Sequence, residues 1–175
     1  LPAVTMFRRP WTQPWQEFCG SVGDRLRRRV ALELAARNER AAADRAAADE
    51  YALTSRLLTN PLDRDALYAL ASLAAKQGRV REAVGLLRRA IDVQPRDAAA
   101  HLLRAQLTRD LGWWDEAIDS LRVLQGLEPE NATVLANLGT AYEAKGDLTA
   151  AEGAYRRAAA LQPGFAAVHL NLGNV

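Results

Sequence analysis

The sequence predicts an all-α fold, a solenoid of repeated helix pairs, and two markers that share one period carry this prediction. Prolines recur at steps of 34 residues, at Pro61, Pro95, Pro129 and Pro163. Glycines keep the same step, at Gly78, Gly112 and Gly146. Because two residue types follow one period, we interpret this part of the chain as a series of internal repeats.

Each period contains two predicted helices separated by its glycine. Apolar residues recur at helical spacing before Gly78, at Leu67, Leu70, Leu73 and Ala74, and again after it, at Val80, Ala83, Val84 and Leu87. The proline then ends the second helix, because it lacks an N–H group and disfavours helical geometry in the residue before it. Small residues in the middle of each first helix predict close helix pairing: Ala71, Ala105, Gly139 and Gly173.

This pattern resembles the tetratricopeptide repeat, which has a small residue, an alanine and a terminal proline in each 34-residue unit. The resemblance implies a right-handed α-solenoid with repeats at 64–97, 98–131 and 132–165, and the first helix of a fourth at 166–175. Arg104 and Leu124 depart from the pattern and predict looser packing in the second repeat. Since repeat arrays normally end in a polar capping helix, we expect a longer protein or a second subunit beyond residue 175.

The first 63 residues follow the repeat less clearly. Residues 24–59 contain neither proline nor glycine, which predicts one long helix or two, with Asp24 as the N-cap. We assign 24–63 to a helical extension, and a degenerate repeat from residue 30 stays open because Pro61 is in phase. Residues 1–23 carry three prolines and two glycines, which predicts an extended arm.

The arm and one turn supply the candidate assembly contacts. Aromatic residues are concentrated in the arm, where they either cap the first helices or insert into a partner or a neighbouring copy. A further tryptophan takes a helix-start position that is usually polar, so we expect it to be exposed. These residues are Phe7, Trp11, Trp15, Phe18 and Trp113.

Composition argues against several function classes. The chain has 23 basic and 21 acidic residues, a net charge of +2, so we do not expect nucleic acid or a membrane surface as partner. One cysteine and two histidines form neither an internal disulfide nor a four-ligand zinc site of the Cys/His type. We therefore expect no metal, no cofactor and no catalytic residues, and a soluble, cytoplasmic protein.

The resemblance also implies a concave groove, lined by the first helices, that holds an extended peptide. The residues at its contact positions are Asp65, Tyr68, Ser72, Leu102, Gln106, Arg109, Asn137, Thr140, Glu143, Asn171 and Asn174. An asparagine amide, as at Asn137 and Asn171, can donate to and accept from a peptide backbone. Tyr68 and Ser72 stand where chaperone-tail-binding members hold a terminal carboxylate, which argues against that specific function.

We therefore predict a non-catalytic scaffold that binds a segment of a partner protein in this groove. Two alternatives stay open. The chain is the substrate-recruiting arm of a larger enzyme, of glycosyltransferase or sulfotransferase type, or it is a structural subunit that self-associates through its N-terminal arm or its uncapped C-terminal end.

Overall fold

The computed structural model describes the backbone of residues 15–175 and the side chains from residue 20 onward, and all regular structure in this part is α-helical. The helices are α1 (Trp15–Thr59), α2 (Arg64–Lys76), α3 (Val80–Val93), α4 (Ala98–Asp110), α5 (Trp114–Leu127), α6 (Ala132–Lys145), α7 (Leu148–Leu161) and α8 (Ala166–Leu172). The chain divides into two compact units, one ending at Ala48 and one comprising Asp49–Val175.

The unit Asp49–Val175 is a solenoid of helix pairs. Helix α2 packs on α3, α4 on α5, and α6 on α7, and each pair lies within one 34-residue period. The second helix of each pair also packs on the first helix of the next, and α7 packs on α8. Each of α3, α5 and α7 ends two residues before an in-phase proline. The repeat period therefore sets the helix boundaries.

Glycine and a capping residue define the two ends of each first helix. The turns after α2, α4 and α6 contain Gly78, Gly112 and Gly146, whose φ values are 77°, 73° and 83°. This backbone conformation is unfavourable for residues that have a Cβ atom. At the other end the N-cap side chains of α2, α4 and α6 accept backbone N–H groups of the first turn. These N-caps, also spaced by 34 residues, are Asp63, Asp97 and Asn131.

Helices α6 and α7 approach closely where Tyr155 meets Gly139. Tyr155 of α7 is fully buried, and its ring lies against Gly139 of α6. A Cβ atom at Gly139 would lie 2.4 Å from Tyr155 Cε1, well inside van der Waals contact. The small residue at this position is therefore a requirement of the tyrosine. Gly173, expected in mid-helix, instead follows the last residue of α8 as its C-cap.

The second pair accommodates its two departures from the pattern. Leu124 is buried in the core formed by α4, α5 and α6. Arg104 is half-buried, and its Nε donates to Ser120 Oγ at 2.6 Å. Burial lowers the pKa of Arg104, in line with a guanidinium held in a partly apolar site. Ser120 itself is fully buried and donates to the Glu116 carbonyl at 3.1 Å. Both Arg104 and Ser120 therefore have hydrogen-bond partners inside the second pair.

Helix α1 differs from the expected boundaries. The predicted extended arm is wrong from Trp15 onward, because Gly20 and Gly23 both lie inside the helix. A single helical glycine costs only about 1 kcal/mol, which neighbouring good helix formers offset. Asp24 is likewise inside the helix rather than its N-cap, and accepts from Arg27 at 2.7 Å. Phe7 and Trp11 lie outside the described residues.

The degenerate repeat considered from residue 30 is not formed as a helix pair. Helix α1 is uninterrupted to Thr59, because no glycine or proline between residues 24 and 59 provides a turn. Its last part nevertheless follows the repeat register, since it ends two residues before Pro61, as α3 does before Pro95. Leu53 and Leu57 pack against the core formed by α2, α3 and α4. Residues 49–59 thus take the place of a preceding second helix.

We predict that Gly139→Ala lowers the free energy of unfolding by about 1–3 kcal/mol or more, because the added methyl group overpacks the Tyr155 ring. The matched control is Gly153→Ala on α7, where a Cβ would meet nothing within 4 Å, and which should stabilise by about 0.5–1 kcal/mol. Urea unfolding of the full chain measures both. Equal effects of the two variants would contradict the packing argument.

Ser120→Ala should lower the free energy of unfolding by about 1–3 kcal/mol, because it leaves the half-buried Arg104 guanidinium without its closest acceptor. In an Arg104→Leu background the same change should cost less, since no buried charge then needs a partner. The same urea titration gives the coupling between the two positions. Additive effects would show that the hydrogen bond contributes nothing to stability.

Candidate functional site

The predicted groove residues of the second and third repeats converge on a small pocket between α4 and α6. Leu102, Gln106 and Arg109 of α4 face Asn137 of α6 across it. Its floor is apolar and consists of Ala105, Ala117, Leu121 and Ala141. We call this the α4–α6 pocket. Its cavity volume is only about 10 Å³, which is room for one methyl-sized group.

The rim of the α4–α6 pocket offers contacts of three kinds. Leu102 is 42% exposed and extends the apolar floor to the surface. Gln106 and Asn137 each present an amide that can both donate and accept. Arg109 is exposed and pairs only loosely with Asp110, at 3.6 Å. A small apolar side chain, a peptide backbone and an acidic side chain would each find a complement here.

A second, wider cleft lies between residues 49–59 of α1 and helix α2. It is open to solvent, has a volume of about 520 Å³, and includes the predicted residues Tyr68 and Ser72. Two cations border it, Arg56 and Lys76, of which Arg56 pairs with Asp63 at 2.8 Å. We call this the α1–α2 cleft. Its breadth makes it a surface for a chain segment rather than for a single side chain.

The third group of predicted residues is joined by a hydrogen-bond network centred on Tyr155. The Tyr155 hydroxyl donates to Glu143 Oε2 at 2.7 Å and lies 3.2 Å from Thr140 Oγ1. Asn171 Nδ2 of α8 donates to the same hydroxyl at 3.2 Å. Three predicted groove side chains therefore contact one buried tyrosine, and one N–H group of the Asn171 amide is already donated.

The remaining predicted residues stand apart from these sites. Asp65 is exposed and pairs with the neighbouring Arg64 at 2.5 Å. Asn174 follows the end of α8 and is exposed. Trp113, expected to be exposed, is half-buried, because the turn at Gly112 places it against the core formed by α2, α3 and α4. Trp15 and Phe18 lie in α1, and their side chains are outside the described part.

Both histidines have a structural bond of the same kind. His101 Nε2 lies 3.0 Å from the Pro95 carbonyl oxygen, and His169 Nε2 lies 2.8 Å from that of Pro163. Since a carbonyl oxygen only accepts, each Nε2 carries the proton. Each ring thereby ties the start of a first helix to the proline loop before it.

Two searches of the described residues bear on other kinds of site. Among these residues, no group of three histidine, cysteine, aspartate or glutamate side chains is arranged to hold a metal ion. None of the helices from residue 15 onward combines the length and apolarity that a membrane crossing requires.

Sequence reasoning missed two components of this surface. Tyr155 stands at the repeat position of Leu87 and Leu121, and the repeat pattern gives no role to its hydroxyl. The floor of the α4–α6 pocket consists largely of alanines, which the repeat pattern explains by helix packing alone. The signal that could have found Tyr155 is its pairing with a glycine on the preceding helix.

Burial raises the pKa of Tyr155, and its bond to Glu143 acts in the same direction. The folded state therefore favours the neutral phenol, and this stabilisation is fully present below the unfolded-state pKa of about 10. We predict that wild-type stability falls between pH 9 and pH 12 more steeply than that of Tyr155→Phe. Urea unfolding of both proteins across this range is the measurement. Parallel pH profiles would contradict the assignment.

The comparisons with known proteins agree with this architecture. No curated protein matches the chain in sequence. A structure of MamA from Desulfovibrio magneticus RS-1 is 21% identical and covers 71% of each chain, with a TM-score of 0.64. YrrB, described as a TPR protein with an unusual peptide-binding site, is 21% identical over 72% of this chain and 64% of that chain, with a TM-score of 0.60.

A third solved structure is the first TPR of Spaghetti (RPAP3) bound to the HSP90 peptide SRMEEVD. It is 21% identical, covers 63% of this chain and 88% of that chain, and has a TM-score of 0.56. At such identities these likenesses concern the fold. The sequence model of the tetratricopeptide repeat matches residues 68–132, 109–166 and 136–175, which together span more than half of the chain. The chain therefore belongs to the tetratricopeptide repeat family.

Proposed function

We propose that this chain is a non-catalytic scaffold that binds an extended segment of a partner protein, with the α4–α6 pocket as its anchor. The observation that carries the proposal is the convergence of an exposed leucine, two amides and a loosely paired arginine around a small apolar floor. Ligand sites in proteins combine apolar lining and few polar groups in this way. The peptide-binding site of YrrB and the HSP90 peptide bound to RPAP3 support the same class of function.

The size and charge of the pocket define the segment. With room for about one methyl-sized group, the pocket accepts the methyl group of an alanine or one of the two methyl groups of a valine, and excludes aromatic side chains. Arg109 beside it favours an acidic residue next to the anchor, because its present partner Asp110 is 3.6 Å away and exposed. The amides of Gln106 and Asn137 suit the peptide backbone.

The neighbouring surfaces extend the proposed path of the segment. The α1–α2 cleft extends this path toward the start of the solenoid and is lined by charges of both signs, Asp49 on one hand and Arg56 and Lys76 on the other. On the other side the Tyr155 network holds Thr140, Glu143 and Asn171 in fixed positions. A surface fixed before binding spares the partner the cost of ordering it.

Two other roles stay predictions from the sequence. One is the substrate-recruiting part of a larger glycosyltransferase or sulfotransferase. The other is a structural subunit that associates through the N-terminal arm or the C-terminal end.

A random-peptide display selection on the full chain tests the proposal. We expect selected peptides to share alanine or valine next to an acidic residue. Leu102→Glu should weaken the binding of a selected peptide at least tenfold, about 1.4 kcal/mol, because it places a charge at the edge of the apolar floor. Isothermal titration calorimetry measures the dissociation constants.

The matched control is Leu148→Glu at the start of α7, where the leucine is 48% exposed and lines neither the α4–α6 pocket nor the α1–α2 cleft. It should change the affinity less than twofold. Selection of no common motif, or equal losses in the two variants, would overturn the assignment of the α4–α6 pocket as the anchor.

A further inference from the structure

In the unit that ends at Ala48, α1 carries a row of large apolar side chains on one side. Leu26, Val30 and Leu34 follow at intervals of four residues and are 53%, 54% and 54% exposed. Val22 lies one turn earlier on the same side. An apolar row of this length left in contact with water marks an interaction surface.

Further along α1, the residues on the same side of the helix are small. Ala41 follows Leu34 by seven residues, or two helical turns, and Ala48 follows Ala41 by the same step. The face therefore has bulky residues at one end and alanines at the other. When two such helices run in opposite directions, Val30 can lie on Ala41 of the other helix, whereas a parallel pair in register sets Val30 on Val30 and alanine on alanine.

Charges on this face select the same orientation. Three charged residues lie on this face between the apolar ones. Arg27 is at heptad spacing with Leu34 and Ala41. Arg37 and Asp44 are at heptad spacing with Val30. In a parallel pair of identical helices each of these residues would face its own copy, which places like charges together. In an antiparallel pair that sets Val30 opposite Ala41, Arg27 lies opposite Asp44 of the other copy, and this contact occurs twice.

We propose that residues 22–48 of α1 bind the same segment of a second copy of this chain as an antiparallel helix pair. Val30 of one copy packs on Ala41 of the other, Leu34 on the aliphatic stem of Arg37, and Arg27 pairs with Asp44. In the single chain Arg27 pairs with Asp24 at 2.7 Å, but this ion pair is exposed and exchanges easily for a partner on another chain.

Sedimentation equilibrium of the full chain between 5 and 200 µM tests the pairing. We expect a species of twice the 19.2 kDa chain mass. Val30→Glu should raise the dimer dissociation constant at least tenfold. The matched control is Leu32→Glu, because Leu32 is 71% exposed but lies on the opposite side of the helix, two residues further on. A monomer throughout, or a dimer that Leu32→Glu weakens as much as Val30→Glu does, would overturn the proposal.

Charge reversal tests the orientation. Arg27→Glu alone should weaken the dimer, and adding Asp44→Arg to the same chain should restore its dissociation constant to within threefold of wild type. The two residues are 17 positions apart on one helix, on the order of 26 Å, so restoration requires contact between chains. In a parallel pair in register, Arg27→Glu would only replace one pair of like charges by another, so the dissociation constant should change little. An unchanged dissociation constant for Arg27→Glu, or a failure of the double variant to recover, contradicts the antiparallel pair.

Discussion

The distance between the two helices of each unit is the constraint on which the rest of the structure depends. Small residues at the contact, Ala71, Ala105 and Gly139, allow the pair to approach, and each is buried. A glycine with a left-handed backbone conformation then reverses the chain between the two helices, and the N-cap residue sets where the next unit starts. The small contact residues, the turn glycines and the N-caps all repeat with one period. Equivalent helices therefore line one surface, and side chains far apart in sequence meet in the α4–α6 pocket.

This surface is not uniform along the solenoid. Its first part is an open cleft with cations at the edge, its middle is a small apolar pocket, and its last part is held by the Tyr155 hydroxyl. The Tyr155 network depends on Gly139, since any larger residue would displace the ring. Packing inside a pair therefore determines which groove side chains are available to a partner and which are engaged internally.

The sequence was sufficient to predict the helix pairs, because proline and glycine mark their ends through backbone geometry that does not depend on the neighbours. The N-caps Asp63, Asp97 and Asn131 follow the same period and were open to the same reasoning. The extent of α1 was not predictable in this way, since Gly20 and Gly23 are tolerated only because the flanking residues propagate the helix. The role of Tyr155 depends on contacts with two other helices, and no local pattern specifies it.

The most direct test of a preformed binding surface is the amide NMR spectrum of the full chain titrated with a selected peptide. The account predicts that shift changes concentrate around Leu102, Gln106 and Asn137, with helix content unchanged and the rest of the solenoid unaffected. Changes centred on the outer surface of α3 and α5, or a general rearrangement of the spectrum on binding, would contradict it.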